Sequence, residues 1–225
     1  ILMYVEGIRN ARRFMSALRS AARIKPIILL KAGRHAAGSA AASTHSGMAA
    51  VSDTVFDAAV RRAGVVRVQN VGQLFYAAKA LASKFRPMGN RLAIITNGGG
   101  PGAMAADRAG DMGIPLAELS NETMAVLNKA LPTNWSHANP IDIGGDATPE
   151  RYREAIMAVT HDPNVDSTLV MLSPQAMTDP LAVAQAIIEV ADKLNRSLIC
   201  CWMGEEQVRE ARKLLEDAGI PAFRM

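Results

Sequence analysis

Aromatic residues are scarce in this chain, at 4% of 225 residues. Single-stranded nucleic-acid binding relies on aromatic stacking platforms interleaved with basic charge, so nucleic acid is not an expected partner. Cysteine is scarcer still. Cys200 and Cys201 are adjacent, do not readily pair with each other and lie inside the apolar run Leu198–Trp202. Reduced core residues are expected, which suits a cytoplasmic protein. Long hydrophobic runs are absent: residues 26–30 and 168–172 are too short to span a bilayer. The opening residues 1–5 lack a basic lead and a small-residue cleavage site, so they are not read as a signal peptide. No His/Cys/Asp/Glu spacing resembles a metal site. The chain also contains no Gly-x-Ser-x-Gly elbow.

What is present is an ordinary globular composition: 49% hydrophobic residues, mean hydropathy +0.08 and a formal charge of +4. The cations Arg9, Arg12, Arg13, Arg19, Arg23 and Lys25 recur along a predicted helix and read as a solvated face. The first residue is Ile in an apolar run, and a fragment of a longer protein is expected.

Short apolar runs alternate with Ala-rich helical patterns, the signature of βαβ units around parallel sheets. Strands are predicted at 1–5, 27–30 and 65–68, with helices over 10–23, 53–63 and 71–84. The polar, Pro- and Gly-containing stretch 85–90 reads as a linker. The pattern then restarts with a strand at 92–95, a helix over 101–112 and a strand at 116–119. Ser120, Thr148-Pro149 and Asp179-Pro180 mark helix starts. Further strands are expected at 168–172, 198–202 and 221–224, with a last helix over 206–218. The expectation is an α/β chain of two consecutive flavodoxin-like, doubly wound domains, residues 1–88 and 89–225. The first shows only three strands and is expected to be incomplete at its N-terminus.

Two stretches carry chemistry. Ser43-Thr44-His45-Ser46-Gly47 sets an imidazole among small residues. Imidazole is a nucleophile near neutral pH, and small neighbours admit a phosphoryl group. Asn97-Gly98-Gly99-Gly100-Pro101-Gly102 follows a strand and opens a helix. Its backbone N–H groups and the helix dipole suit an anion. It is neither a Walker loop nor a full dinucleotide fingerprint, so a bare phosphoryl group fits it better than a nucleotide. Glu6, at the end of the first strand, could hold an imidazole N–H and fix its tautomer. Asn139-Pro140-Ile141-Asp142 with Gly144-Gly145 reads first as a structured turn, with Asp142 a further candidate. His35, His137 and His161 have no comparable setting.

Together, Tyr4-Val5-Glu6-Gly7, Lys31-Ala32-Gly33-Arg34, the His45 stretch, Asn97 to Gly102 and Asn139-Pro140-Ile141-Asp142 resemble the NDP-forming acyl-CoA synthetase superfamily, which includes ADP-forming acetate–CoA ligases and succinyl-CoA synthetase. The resemblance implies that His45 is transiently phosphorylated, that Glu6 supports the phosphohistidine, and that Ser46, Gly47, Asn97, Gly98, Gly99, Gly100 and Gly102 contact phosphate. It implies an acid–CoA ligase reaction in which acyl-CoA, phosphate and ADP give the acid, CoA and ATP. It also implies partner domains: a CoA-binding domain and an ATP-grasp domain, in the same chain or another subunit. CoA, ADP/ATP, phosphate and magnesium belong to the whole enzyme, no cofactor to this segment, and an oligomer is expected. The segment alone is expected to be inactive. The alternative implied by the resemblance is the acyl-CoA synthetase-like module of a GNAT-type protein lysine acetyltransferase. Many such modules have lost the histidine, so its retention leans towards a ligase.

Overall fold

A computed structural model describes residues 1–47, 52–191, 193–194 and 197–224. The chain divides into two compact α/β units, Ile1–Ala82 and Ser83–Met225. Both follow the flavodoxin-like plan of parallel strands wound with helices.

In the first unit β1 (Leu2–Val5), β2 (Ile28–Lys31) and β3 (Val66–Val68) form a parallel sheet in that order. The central strand is apolar up to its last residue, Lys31, because both its faces are covered. Ile27 and Leu29 pack with Leu18, Phe56 and Val60, on one side of the sheet. Those last three residues come from α1 (Ala11–Ala22) and α3 (Asp53–Arg62). Ile28 and Leu30 point the other way, to Leu74 of α4 (Val71–Ala82). Asn10 caps α1 by accepting from the Arg13 N–H. Between β2 and α3 lies α2 (Ala36–Ser46), a helix the sequence pattern does not reveal. It is made of Ala, Ser, Thr, Gly and His and has no apolar stripe, so periodicity gives no signal for it.

In the second unit the parallel sheet runs β5-β4-β6-β7-β8. The strands are β4 (Leu92–Thr96), β5 (Ile141–Asp142), β6 (Ser167–Leu172), β7 (Leu198–Trp202) and β8 (Ala222–Phe223). Counted within the unit this is the order 2-1-3-4-5 of flavodoxin-like sheets, with a topological switch point between β4 and β6. The helices are α5 (Gly99–Asp111), α6 (Asn121–Ala130), α7 (Pro149–Thr160), α8 (Pro180–Ala191) and α9 (Glu206–Asp217). Tyr152, Ile156, Val183, Trp202 and Leu215 join the sheet residues Ile95, Ile141, Val170 and Leu172 in one core.

The stretch read as a linker is stapled to this second unit. The Lys84 N–H donates to Gly219 O, the Arg86 N–H to Ser197 Oγ and the Met88 N–H to Asp166 O. Asp166 also accepts from the Arg91 N–H and guanidinium. The boundary expected near residue 88 lies within this strap.

Three expectations need correction. The strand expected at 116–119 is a single bridge, Leu116 opposite Leu92. Asn139 takes over the neighbouring edge of β4: its side chain donates to Leu92 O and Ala117 O and accepts from the Ile94 N–H. The turn expected at 139–142 ends in the short strand β5, after a cis Asn139-Pro140 bond. Helix α5 starts at Gly99, two residues before Pro101, with Gly98 as its extended N-cap. Proline fits anywhere in a first turn, where its missing N–H has no intrahelical partner to lose.

Candidate functional site

In the first unit Glu6 and His45 come together. Glu6 follows β1 directly, and His45 lies in the last turn of α2. His45 Nδ1 is 2.7 Å from Glu6 Oε2. A carboxylate only accepts, so the proton of this bond is on Nδ1. Nε2 has no partner among the described residues, and the imidazole side chain is 79% exposed. The arrangement is a tautomer-fixed imidazole presenting its other nitrogen outward. A helix C-terminus also favours positive charge on this ring as it reacts. Gly47 ends α2 at φ 67, the left-handed conformation glycine adopts without a Cβ penalty. No described residue has an atom within 4 Å of where its Cβ would stand. Ser46 is the last residue of α2; its side chain lies outside the described residues.

In the second unit the glycine turn occupies the switch point, where sites form beyond the carboxyl ends of strands in open α/β sheets. Asn97 is 1% exposed, and its side chain joins the ends of the two central strands. It donates to Ser173 O at 2.8 Å and accepts from the Ser173 N–H at 2.7 Å. The turn is therefore built by the Asn97 side chain, and the open surface beyond it is glycine backbone. The Gly98 N–H donates to Thr96 Oγ1. Gly99 and Gly100 are the first two residues of α5, and their N–H groups have no acceptor among the described residues. A Cβ on Gly100 would meet no described residue within 4 Å. Gly102 is buried against β4, where a Cβ would stand 2.8 Å from Thr96 Cγ2. Its absent side chain serves packing.

Asp142 stands beside this turn. Its Oδ1 accepts from the Gly144 N–H, and its Oδ2 is 3.0 Å from the position a Gly99 Cβ would take. A carboxylate next to a helix N-terminus is electrostatically favourable, and it is negative charge that an incoming anion must face. Sequence reading names Asp142 only as a possible neighbour; its nearness to Gly99 needs the short strand β5. Two of the other three histidines have local structural partners. His137 bonds Asn128 Oδ1 and Thr133 O, His161 bonds Met157 O, and His35 is the N-cap residue of α2. Among the described residues no cluster of three or more His, Cys, Asp or Glu could hold a metal ion. No described helix is long and apolar enough to cross a membrane.

Residues 1–81 match the succinyl-CoA ligase like flavodoxin domain family, and residues 92–225 match the Ligase-CoA domain family. The chain is 41% identical, over 99% of its length, to an ADP-forming acetate–CoA ligase I of Archaeoglobus fulgidus, of which it covers 31%. It is 36% identical to the alpha subunit of an ADP-forming acetate–CoA ligase I from Pyrococcus furiosus, covering 99% of this chain and 48% of that one. Its fold superposes with a TM-score of 0.91 on the dinucleotide forming acetyl-coenzyme A synthetase 1 of Ca. Korarchaeum cryptofilum, solved in complex with phosphate and ADP. The sequences are 32% identical, and the match covers 99% of this chain and 49% of that one. The chain thus spans about a third to a half of the length of these relatives. Two family matches in sequence, together with the flavodoxin-like order of the second sheet, establish that the chain belongs to the NDP-forming acyl-CoA synthetase superfamily.

Proposed function

We propose that this chain is the phosphoryl-carrying part of an ADP-forming acid–CoA ligase, with His45 as the carrier. The observation that carries the reading is the Glu6–His45 pair, in which the carboxylate accepts from the Nδ1–H and leaves Nε2 as the exposed nucleophile. In the forward direction Nε2 attacks the phosphorus of an acyl phosphate. The N–P bond forms, the P–O bond to the acyl group breaks, and the carboxylate leaves with the electron pair. The imidazole becomes cationic and keeps its Nδ1 proton, and the Glu6 carboxylate stabilises that charge. A terminal ADP oxygen then attacks the same phosphorus, the N–P bond breaks and neutral His45 is restored with ATP formed. Each half is a displacement at phosphorus, so positioning and charge stabilisation are what the protein supplies. The unfilled N–H groups of Gly99 and Gly100 suit the phosphoryl oxygens during the relay, and Gly98, Gly102 and Asn97 shape their turn.

On this reading acyl-CoA, phosphate and ADP with magnesium are substrates bound with the help of a CoA-binding domain and an ATP-grasp domain. The whole enzyme is an oligomer of the cytoplasm, and the chain by itself does not complete the reaction. The test is incubation of the full-length protein with MgATP labelled in the γ-phosphate. A phosphoramidate that is acid-labile and alkali-stable is expected at His45. Label that persists in His45→Ala would overturn the assignment.

A further inference from the structure

The helix that carries His45 has almost nothing to hold it by packing. A helix is ordinarily fixed by an apolar stripe set into a core. None of the described side chains of α2 is buried, and five of its first six residues are exposed. Among the described residues two contacts bear on its placement. At the far end is the His45–Glu6 bond. At the near end is the turn 32–35 that leaves β2. There Gly33, at φ 69, lies so close to α2 that a Cβ would stand 3.2 Å from Ser39 Cα and 3.3 Å from Ala42 Cβ.

That turn is held by a buried cation that takes no direct part in the phosphoryl steps. Lys31 is 6% exposed at the end of β2. Its Nζ donates to Gly33 O at 2.9 Å and to Ala32 O at 3.2 Å. The same ammonium lies 3.7 Å from Asp53 Oδ1 and 5.6 Å from the centre of the Phe56 ring. Asp53 is the first residue of α3 and is also paired with Arg67. Lys31 therefore ties the chain entering α2 to the chain entering α3. The segment between these two anchored points includes His45.

We infer that Lys31 is a positioning residue for His45: it fixes both ends of the segment bearing the imidazole, and so sets the geometry of the His45–Glu6 pair. The inference rests on the phosphohistidine reading above. A displacement of about 1 Å at a reacting group can cost about 100-fold in rate. A group acting only through position should therefore change rate and leave nucleotide affinity alone.

The experiment is rapid-quench phosphorylation of the full-length protein by MgATP labelled in the γ-phosphate, at saturating and limiting nucleotide. Lys31→Met is expected to slow labelling about 10- to 100-fold with KM for MgATP unchanged. Lys31→Arg, which keeps charge and donors, should recover most of the rate. Gly33→Ala, which disturbs the same turn and leaves the cation in place, should slow labelling as Lys31→Met does. Circular dichroism at the assay temperature measures the folded fraction of each variant. If wild-type protein takes no label at His45, the phosphohistidine reading itself fails. If it is labelled and Lys31→Met is labelled equally fast, the positioning role alone is overturned. It is likewise overturned if Lys31→Arg is as slow as Lys31→Met, or if the slowing matches the loss of folded protein.

Discussion

Two glycines of the α5 turn should respond in opposite ways to the same substitution. At Gly102 an added Cβ would stand 2.8 Å from Thr96 Cγ2 and 3.4 Å from Pro140 Cβ. Thr96 is fully buried and cannot turn aside without loss, because its hydroxyl donates to Gly98 O and accepts from the Gly98 N–H. Relief must come from moving α5 off β4. Overpacking of this kind costs about 1–3 kcal/mol. At Gly100 the same Cβ meets no described residue within 4 Å. Both substitutions replace a helical glycine by alanine, so the backbone gain of up to about 1 kcal/mol enters both and cancels in their difference. Gly102→Ala is therefore expected to be about 2 kcal/mol less stable than Gly100→Ala. For a domain of this size that is a gap of roughly 4–8 °C in thermal midpoint. Urea unfolding followed by circular dichroism, with thermal melts of the same two variants, measures it. Equal midpoints would refute the packing role of Gly102. They would leave all the glycines of the turn to be explained by ligand approach.

Glu6→Gln replaces a charge-assisted hydrogen bond, worth about 1.5–3 kcal/mol, by a neutral one of about 0.5–1.5 kcal/mol. With His45 largely exposed, solvent reduces that difference, so phosphoenzyme formation is expected to fall about tenfold with little change in unfolding midpoint. Labelling at the wild-type rate would return Glu6 to a solvated strand-end carboxylate. Burial raises the pKa of Asp162, but hydrogen bonds from the Ser120 and Asn164 N–H groups outweigh it and leave the group lowered overall. Its stabilisation is therefore complete above the ordinary carboxylate value near pH 4 and lost as pH falls through the lower folded value. Asp162→Asn should flatten the acid limb of stability, read from urea midpoints between about pH 2 and pH 7; an unchanged limb contradicts this. Burial pushes the Cys200 thiol up, and the side chain is fully enclosed, so iodoacetamide should alkylate it only in denatured protein. Mass spectrometry showing rapid native alkylation at Cys200 would contradict the placement.

Strands and amphipathic helices were legible because burial imposes a period. Phe14, Met15 and Leu18 mark the inner face of α1, and the apolar run of residues 27–30 follows from cover on both faces. Ser120 and Thr148 were legible as helix starts because capping is a local bond to a nearby N–H. Helix α2 was not legible, since it buries nothing and so leaves no period. The true start of α5 was hidden for a related reason. Glycine has poor helix propensity, yet Gly99 and Gly100 are carried into the helix by the packing of Gly102 on Thr96.

The site was legible as residue types and not as partnerships. Glu6 and His45 are 39 residues apart; a strand-end carboxylate suggested a partner imidazole, and the family resemblance named which one. The least legible residues are three polar side chains that bond backbone at strand ends or edges. Asn97 joins the ends of β4 and β6, Asn139 closes the edge of β4, and Lys31 closes the turn into α2. Each bonds a main-chain group, and every residue offers one, so the partner's identity leaves no trace in the sequence. Such bonds are also what an open α/β sheet requires at its carboxyl edge. There the ladder stops, main-chain groups lose their strand partners, and a rigid turn must still be presented to a ligand. A side chain that completes those bonds makes the turn rigid and leaves the outward surface free. Asn97 does this beneath the unfilled N–H groups of Gly99 and Gly100, and Lys31 does it at the base of the helix that carries His45.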